Sequence, residues 1–383
     1  MADLIVTPWT PGLGGGQRMR TYGIVRALAA NGPVDVLYPA LGDPEPSKEY
    51  KALANAAFHP VKPSRGLARG LAYLGAVATG VPPSFARGVS AELLSAVEEL
   101  SEAPGRRRVI ADGPISAALC ARVARRRPVI YNAHNLESAF RREARAAGDP
   151  LSGWMLPRFE RRILELASES WMVSPKDMES ARTLAPAATL KLVPNVVDVA
   201  AIAPVGPPPG ARRAMMVADF GWPPNLEGAG FVRDSVLPLV WERLPDARLV
   251  LVGRGLDADF AAGEPRIEMR GFVTDLAEAY GSADCAVVPL LTGGGSPLKF
   301  VEALAYRLPV VATAHAAAGL DVQAGDHYLG GSSAGEVADA LVHVLSSGAP
   351  EMAARGRALA QAKYSIEALT RILAPEPAME VAT

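Results

Sequence analysis

Short apolar runs alternate along this chain with longer stretches in which apolar side chains recur every three or four positions. Leu4–Val6, Val34–Tyr38, Val109–Ala111, Val129–Asn132, Ser170–Val173 and Leu190–Val193 read as strands. Gln17–Asn31, Ala91–Leu100, Ser116–Arg126 and Phe140–Ala167 read as helices between them, the last kinked near Pro157, and Asp43–Tyr50 reads as a polar loop. After the Pro/Gly-rich segment Pro204–Gly210 the alternation restarts. Ala214–Ala218, Arg248–Val252, Ile267–Met269, Cys285–Leu291 and Pro309–Thr313 read as strands. Leu226–Leu244, Asp275–Ser282, Pro297–Tyr306, Ala334–Leu345, Glu351–Lys363 and Glu367–Leu373 read as helices. Such alternation predicts parallel sheets with helices on both faces. The expected architecture is α/β: two doubly wound domains, residues 1–203 and 211–350, facing across a cleft. Residues 204–210 form the linker, 351–375 carry C-terminal helices, and Pro375–Thr383 reads as a loose tail.

Composition narrows the class. With 49% hydrophobic and 21% charged residues the chain is ordinary for a globular protein. Lys+Arg 39 against Asp+Glu 40 gives a net charge of −1, so no global basic field exists to attract nucleic acid. Cys120 and Cys285 lie in apolar surroundings and read as buried free thiols rather than a disulfide framework. The opening Met1-Ala2-Asp3-Leu4-Ile5-Val6 reads as a first strand, not a signal peptide. No run approaches the ~18 apolar residues of a spanning helix. The expectation is a cytoplasmic protein with at most peripheral membrane contact. Arg65-Gly66-Leu67-Ala68-Arg69-Gly70-Leu71 reads as a surface helix with solvated arginines; an amphipathic patch toward an acceptor or a membrane is the alternative.

Candidate chemistry gathers at two glycine loops. Thr292-Gly293-Gly294-Gly295-Ser296-Pro297-Leu298-Lys299 follows an apolar strand and opens a helix, with Ser296 expected as N-cap and Pro297 at the first helical position. Strand, glycine loop and helix together present free backbone N–H groups to a phosphate. Lys299 in the first turn can meet the same anion, and Glu302 lies three residues on, able to hold a diol. In the other half, Gly14-Gly15-Gly16 likewise stands between a strand and a helix; a tight turn explains it equally well, and it does not match GxGxxG. His134 and Asn135 follow the strand Val129–Asn132, at the sheet edge where α/β ligands bind. The other histidines show no metal-ligand spacing with His134, so no metal is expected.

The second half resembles the nucleotide-sugar domain of GT-B glycosyltransferases, in particular the retaining family 4 group. The resemblance is carried in order by Pro194-Asn195-Val196-Val197-Asp198, Val252-Gly253-Arg254-Gly255, Gly271-Phe272-Val273, Gly293-Gly294-Gly295-Ser296-Pro297-Leu298-Lys299 with Glu302, and Pro309–Thr313 with Gly319-Leu320. It implies that Lys299, helped by the N–H groups of Gly295 and Ser296, neutralises a donor diphosphate. Gly294 and Leu298 are implied to line the donor site, and Glu302 to bind the ribose. Phe272 and Val273 would meet the base, Gly15 and Gly16 the diphosphate from the other domain. His134 would face the transferred sugar or the acceptor, with Asn135 beside it. It also implies that the last helix returns to the first domain.

Two positions depart from that pattern. Gly294 stands where a glutamate often precedes the residue equivalent to Glu302, and Asp219–Asn225 carries no cation where Arg and Lys are common. Lys299, or Arg18 and Arg20, would then supply the positive charge. The expected activity is transfer of a hexose-type sugar from a UDP- or GDP-type donor to a small-molecule or lipid-linked acceptor, with retention and without a cofactor or required metal. A nucleotide-sugar epimerase on the same fold and a catalytically silent nucleotide-sugar-binding partner are the alternatives.

Overall fold

The structure, a computed structural model, describes residues 1–139, 150–206, 210–261 and 263–375. Part of the helix expected from Phe140, the core of the linker at 207–209 and the tail from 376 onward lie outside the described residues. The N-terminal sheet holds β1 (Ala2–Val6), β2 (Val34–Pro39), β3 (Ala56–Val61), β4 (Arg106–Asp112), β5 (Val129–Asn132), β6 (Glu169–Met172) and β7 (Leu190–Leu192), in the order β3-β2-β1-β4-β5-β6-β7. The second sheet holds β8 (Arg213–Val217), β9 (Arg248–Val252), β10 (Ile267–Gly271), β11 (Cys285–Val288), β12 (Val310–Thr313) and β13 (Leu329–Gly331), in the order β10-β9-β8-β11-β12-β13. All paired strands are parallel. Central strands such as β11 and β12 are buried at every residue, which is why they read as unbroken apolar runs. Each sheet winds outward from its first strand, then reverses. The reversal opens a crevice beyond the strand ends, between β1 and β4 and between β8 and β11. The first glycine loop follows β1 and the second follows β11, so each stands at a reversal point.

The elements that escaped the pattern are edges and polar helices. β3 contains His59 and Pro60 and is half exposed, and β13 is a three-residue edge, so neither leaves an apolar run. The helix Pro175–Leu184 is mostly polar. Within the expected polar loop, Lys48–Lys51 forms a short helix. The helix expected over Leu226–Leu244 runs as Pro223–Phe231, a π-turn Val232–Val236, then Leu237–Trp241. Pro238 has no N–H to continue an α ladder, and the wide turn precedes it. Ser116–Arg126 divides into the helix Gly113–Cys120 and a 3-10 turn at Val123–Arg125. Among the described residues no helix is long and apolar enough to cross a membrane.

The chain crosses between the sheets twice, side by side. Val197 N–H donates to Tyr364 O at 2.9 Å, where the outgoing strand meets the returning one. The last helix, Ile366–Leu373, then packs on Gly16–Ala30: Ile366, Leu369 and Leu373 share a core with Ile24 and Leu28. Gly23 permits that approach, since a Cβ there would lie 3.1 Å from Val196 and 3.7 Å from Leu369. Asn31 and Lys191 hold the helix end through Thr370 O and Ile372 O at 2.9 Å each.

Candidate functional site

The glycine loop after β11 is held from several sides. Thr292 Oγ1 donates to Glu227 at 2.7 Å, and His315 Nε2 lies 2.9 Å from Gly293 O. Gly293 has φ +106 and a Cβ there would meet the Trp222 ring at 3.1 Å, so only glycine fits beneath that indole. Trp222 is thus a packing residue. The helix after the loop runs Leu298–Ala305 with Pro297, not Ser296, as its N-cap. Pro297 carries no capping side chain, and the Ser296 hydroxyl is buried without a protein partner.

Lys299 is half-buried in the first turn of that helix, its ammonium donating to Asn225 Oδ1. Asn225 is fixed in turn by donating to Asp219 O at 2.7 Å. Burial pushes the Lys299 ammonium down to about 7, against the pull of Glu302. Burial also raises the Glu302 carboxyl, opposed by Lys299 and by a hydrogen bond from Tyr280. Tyr280 itself is buried and stacked on Tyr306 at 4.7 Å. A desolvated cation and carboxylate that face chiefly each other form a site that gains by taking up an anion and a pair of hydroxyls.

The N-terminal side is built on Asp112, at the end of β4. Its carboxylate accepts from His134 Nε2 and Asn132 Nδ2 at 2.8 Å and from Thr21 Oγ1 at 2.7 Å. Burial opposes its ionisation, yet His134 and the bonds from His134, Thr21 and Asn132 hold the carboxyl below its usual range. An ionised acceptor at Nε2 places a proton on that nitrogen; Nδ1 is buried and has no protein partner. Trp9 stands edge-on to the imidazole at 5.5 Å. Two buried carboxylates tie the loop that follows. Asp177 accepts from Leu136 N at 3.1 Å, and Glu160 accepts from Glu137 N and Ser138 N at 2.6 and 2.9 Å.

The two sides meet. A Cβ on Gly16 would lie 3.9 Å from Leu298, and one on Gly295 (φ +80) would lie 2.6 Å from Asn135. Asn195 Nδ2 donates to Ser296 O at 2.8 Å. Across the same seam the Gly295 backbone, with Ser174 and Leu136, offsets the rise that burial gives the Asp177 carboxyl. Arg20 is engaged: it donates to Asn132 Oδ1 and Val193 O at 2.7 Å and to Asn195 Oδ1 at 3.3 Å. Burial lowers its guanidinium to about 10, which leaves it charged at neutral pH, but as a buried strut it does not supply the positive charge expected of it. Arg18 is exposed and lies along the first glycine loop, 3.2 Å from the Cβ position of Gly14. Gly15 and Gly16 are exposed at the head of their helix, with no side-chain cap over the first amides. Phe272 is 75% exposed at the end of β10, and Val273 is half-buried against the core. Gly294 is half-exposed in the middle of the loop.

Several residues were missed, Asp112 and Arg254 among them. Asp112 ends a strand beside the one bearing His134, a juxtaposition legible from strand order alone. Arg254 follows β9 and reaches Asp219 at 3.0 Å, so a neighbouring strand supplies an exposed cation to the stretch that has none of its own. Among the described residues no three or more His, Cys, Asp or Glu side chains cluster as a metal site.

Residues 211–347 match the family model described as Glycosyl transferases group 1. No curated protein matches the chain. Among solved structures, HepE of Anabaena in complex with UDP and glucose is similar with a TM-score of 0.68 at 14% identity, over 97% of each chain. Sucrose-phosphate synthase of Thermosynechococcus elongatus is similar with a TM-score of 0.69 at 18% identity, over 97% of this chain and 96% of that one. TarM of S. aureus, in a complex that includes UDP, is similar with a TM-score of 0.67 at 10% identity, over 97% and 98%. At these identities the likeness speaks to architecture, and the family match to the C-terminal half. Together they show the GT-B fold for the chain and a match to the group 1 glycosyltransferase model over its second Rossmann-like domain.

Proposed function

We propose that the protein transfers a hexose-type sugar from a UDP- or GDP-type donor to a small-molecule or lipid-linked acceptor, with retention at the anomeric carbon. The observation that carries this reading is the meeting of the two glycine loops: Gly16 against Leu298 and Gly295 against Asn135, with Lys299 and Glu302 on the first turns behind them. In this reading the donor diphosphate leaves Asn225 as Lys299's lesser partner, and charge developing on the departing phosphate meets a preorganised ammonium and the uncapped amides at Gly15 and Gly16. Glu302 and Tyr280 take the ribose diol, and Phe272 offers a face to the base. The Nδ1 of His134 hydrogen-bonds a hydroxyl of the sugar or of the acceptor. The departing phosphate takes the acceptor proton, as in the retaining group that the sequence resembles.

A thermal-shift panel of nucleoside diphosphates and their sugars tests the donor class. A ligand about a hundredfold above its Kd adds about 2.7 kcal/mol of stability. Release of the nucleoside diphosphate only with acceptor present, and a product of unchanged anomeric configuration by NMR, complete the expectation. Release without any acceptor while the sugar is isomerised would favour an epimerase, and a donor bound but never turned over would favour a silent binding partner.

A further inference from the structure

A cavity of about 220 Å³ lies between the two domains, against the ~15 Å³ that admits a single water. Both domains wall it. Val173 and Pro194 follow β6 and β7 at the carboxyl edge of the first sheet, and Gly319 and Asp321 follow β12 of the second. The returning chain at Lys363 and Tyr364, beside the crossing at Val197, and the last helix, through Arg371 and Ile372, complete it. Two of these walls bear directly on the second glycine loop. Val173 lies 3.7 Å from the Cβ position of Gly295. A Cβ on Gly319 would lie 2.2 Å from Gly295 O and 3.1 Å from Pro297, so that contact requires glycine. No slack separates the cavity wall from the loop.

The lining combines hydrocarbon with a surplus of positive charge. Val173, Pro175, Pro194 and Ile372 supply the apolar surface. Among the described lining residues the acid is Asp321, and Lys363 pairs with it. Arg371 is exposed and makes no hydrogen bond or ion pair with a described residue. The Lys191 ammonium, on Ile372 O at 2.9 Å, brings a further cation to the same helix end. Glu367, on the same helix, acts on Arg26 of the first domain. The Tyr364 phenol is buried and accepts from Asp321 N at 2.7 Å, which leaves its O–H proton to donate.

We propose that this cavity binds a small organic oxyanion, an apolar body bearing one carboxylate or phosphate, and that its occupancy tightens the nucleotide site. The body lies against Val173, the two prolines and Ile372, and the oxyanion meets the Arg371 guanidinium and the Tyr364 hydroxyl. An occupant that fills the cavity as it stands favours the arrangement in which Gly295 meets Asn135, the assembled crevice. By linkage, a nucleotide in the crevice tightens the anion by the same factor. The binding half stands apart from the proposed donor and the coupling half rests on it, so the two are measured separately.

The test is calorimetric titration of the full chain with 4-bromobenzoate, 4-bromophenyl phosphate and the neutral 4-bromobenzyl alcohol, followed by bromine anomalous scattering from soaked crystals. At least one anion is expected to bind about tenfold or more tightly than the alcohol, with its bromine in the cavity, and the tighter of the two names the oxyanion. Arg371→Gln, and Ala362→Trp at the exposed rim, should each weaken it about tenfold with unchanged melting temperature. A saturating anion should then tighten UDP about fivefold or more. No anion binding, equal binding of the alcohol, bromine outside the cavity, binding at crystal concentration only, or an Arg371→Gln variant that binds like the parent overturns the proposal. So does an unchanged or weakened affinity for UDP with the anion bound. Bromine in the cavity of a chain that takes up no nucleotide defeats the donor reading and the coupling, and upholds the site.

Discussion

Lys299 gives the sharpest test, because its environment fixes both a sign and a size. Burial lowers its ammonium from an ordinary 10.5 to about 7, against the pull of Glu302. A diphosphate arriving beside it favours the charged form and returns the group toward its ordinary value. Binding therefore takes up a proton wherever the free site is neutral. With a free-state value about 7, roughly nine-tenths of these sites are protonated at pH 6 and about one-tenth at pH 8. Recharging the site at pH 8 costs about 1.4 kcal/mol, so affinity should be about tenfold weaker at pH 8 than at pH 6. A nucleotide sugar is the right probe, since its diphosphate diester has no titrating group in the neutral range. Calorimetry at pH 8 in two buffers of different ionisation enthalpy should show uptake of about 0.9 proton per ligand, against about 0.1 at pH 6. Lys299→Arg holds a permanent charge and should abolish the uptake and flatten the pH profile. Equal affinity at pH 6 and pH 8 for the parent protein, with no buffer-dependent enthalpy, would refute the reasoning.

Other substitutions separate the remaining roles. Glu302→Gln should weaken nucleotide binding by about ten- to a hundredfold, on the order of one charged hydrogen bond, and erase any preference for UDP over its 2′,3′-dideoxy analogue; a retained preference counts against the ribose contact. His134→Ala should lower kcat while leaving the Kd for UDP within about twofold, and the reverse pattern would move the residue to the nucleotide side. Arg20→Met strands the buried acceptors on Asn132, Val193 and Asn195, and should cost about 3 kcal/mol or more in denaturant unfolding; an unchanged midpoint would contradict the strut.

Much of the fold was legible because buried parallel strands such as β11 and β12 leave unbroken apolar runs, and glycine loops mark where they end. β3 and β13 were not, because an edge strand need not be apolar. The candidate site divides the same way. Lys299, Glu302 and His134 follow recognisable loops, so local order places them. Asp112 and Arg254 act through residues that only strand order makes neighbours. The expected cap at Ser296 and the expected cation at Arg20 share one physical reason for failing. Both lie at the seam between the domains, where Asn195 joins the Ser296 carbonyl to the Arg20 guanidinium, and no local pattern anticipates an interface.

The central claim is that both domains hold one diphosphate between Lys299 and the amides that open the helix at Gly16. A crystal structure of the protein with UDP measures this directly. The account predicts phosphate oxygens about 3 Å from Lys299 Nζ and within hydrogen-bond reach of the Gly16 amide, with the ribose on Glu302. A nucleotide bound outside the crevice, with Lys299 still turned to Asn225 and no phosphate beside it, would contradict it.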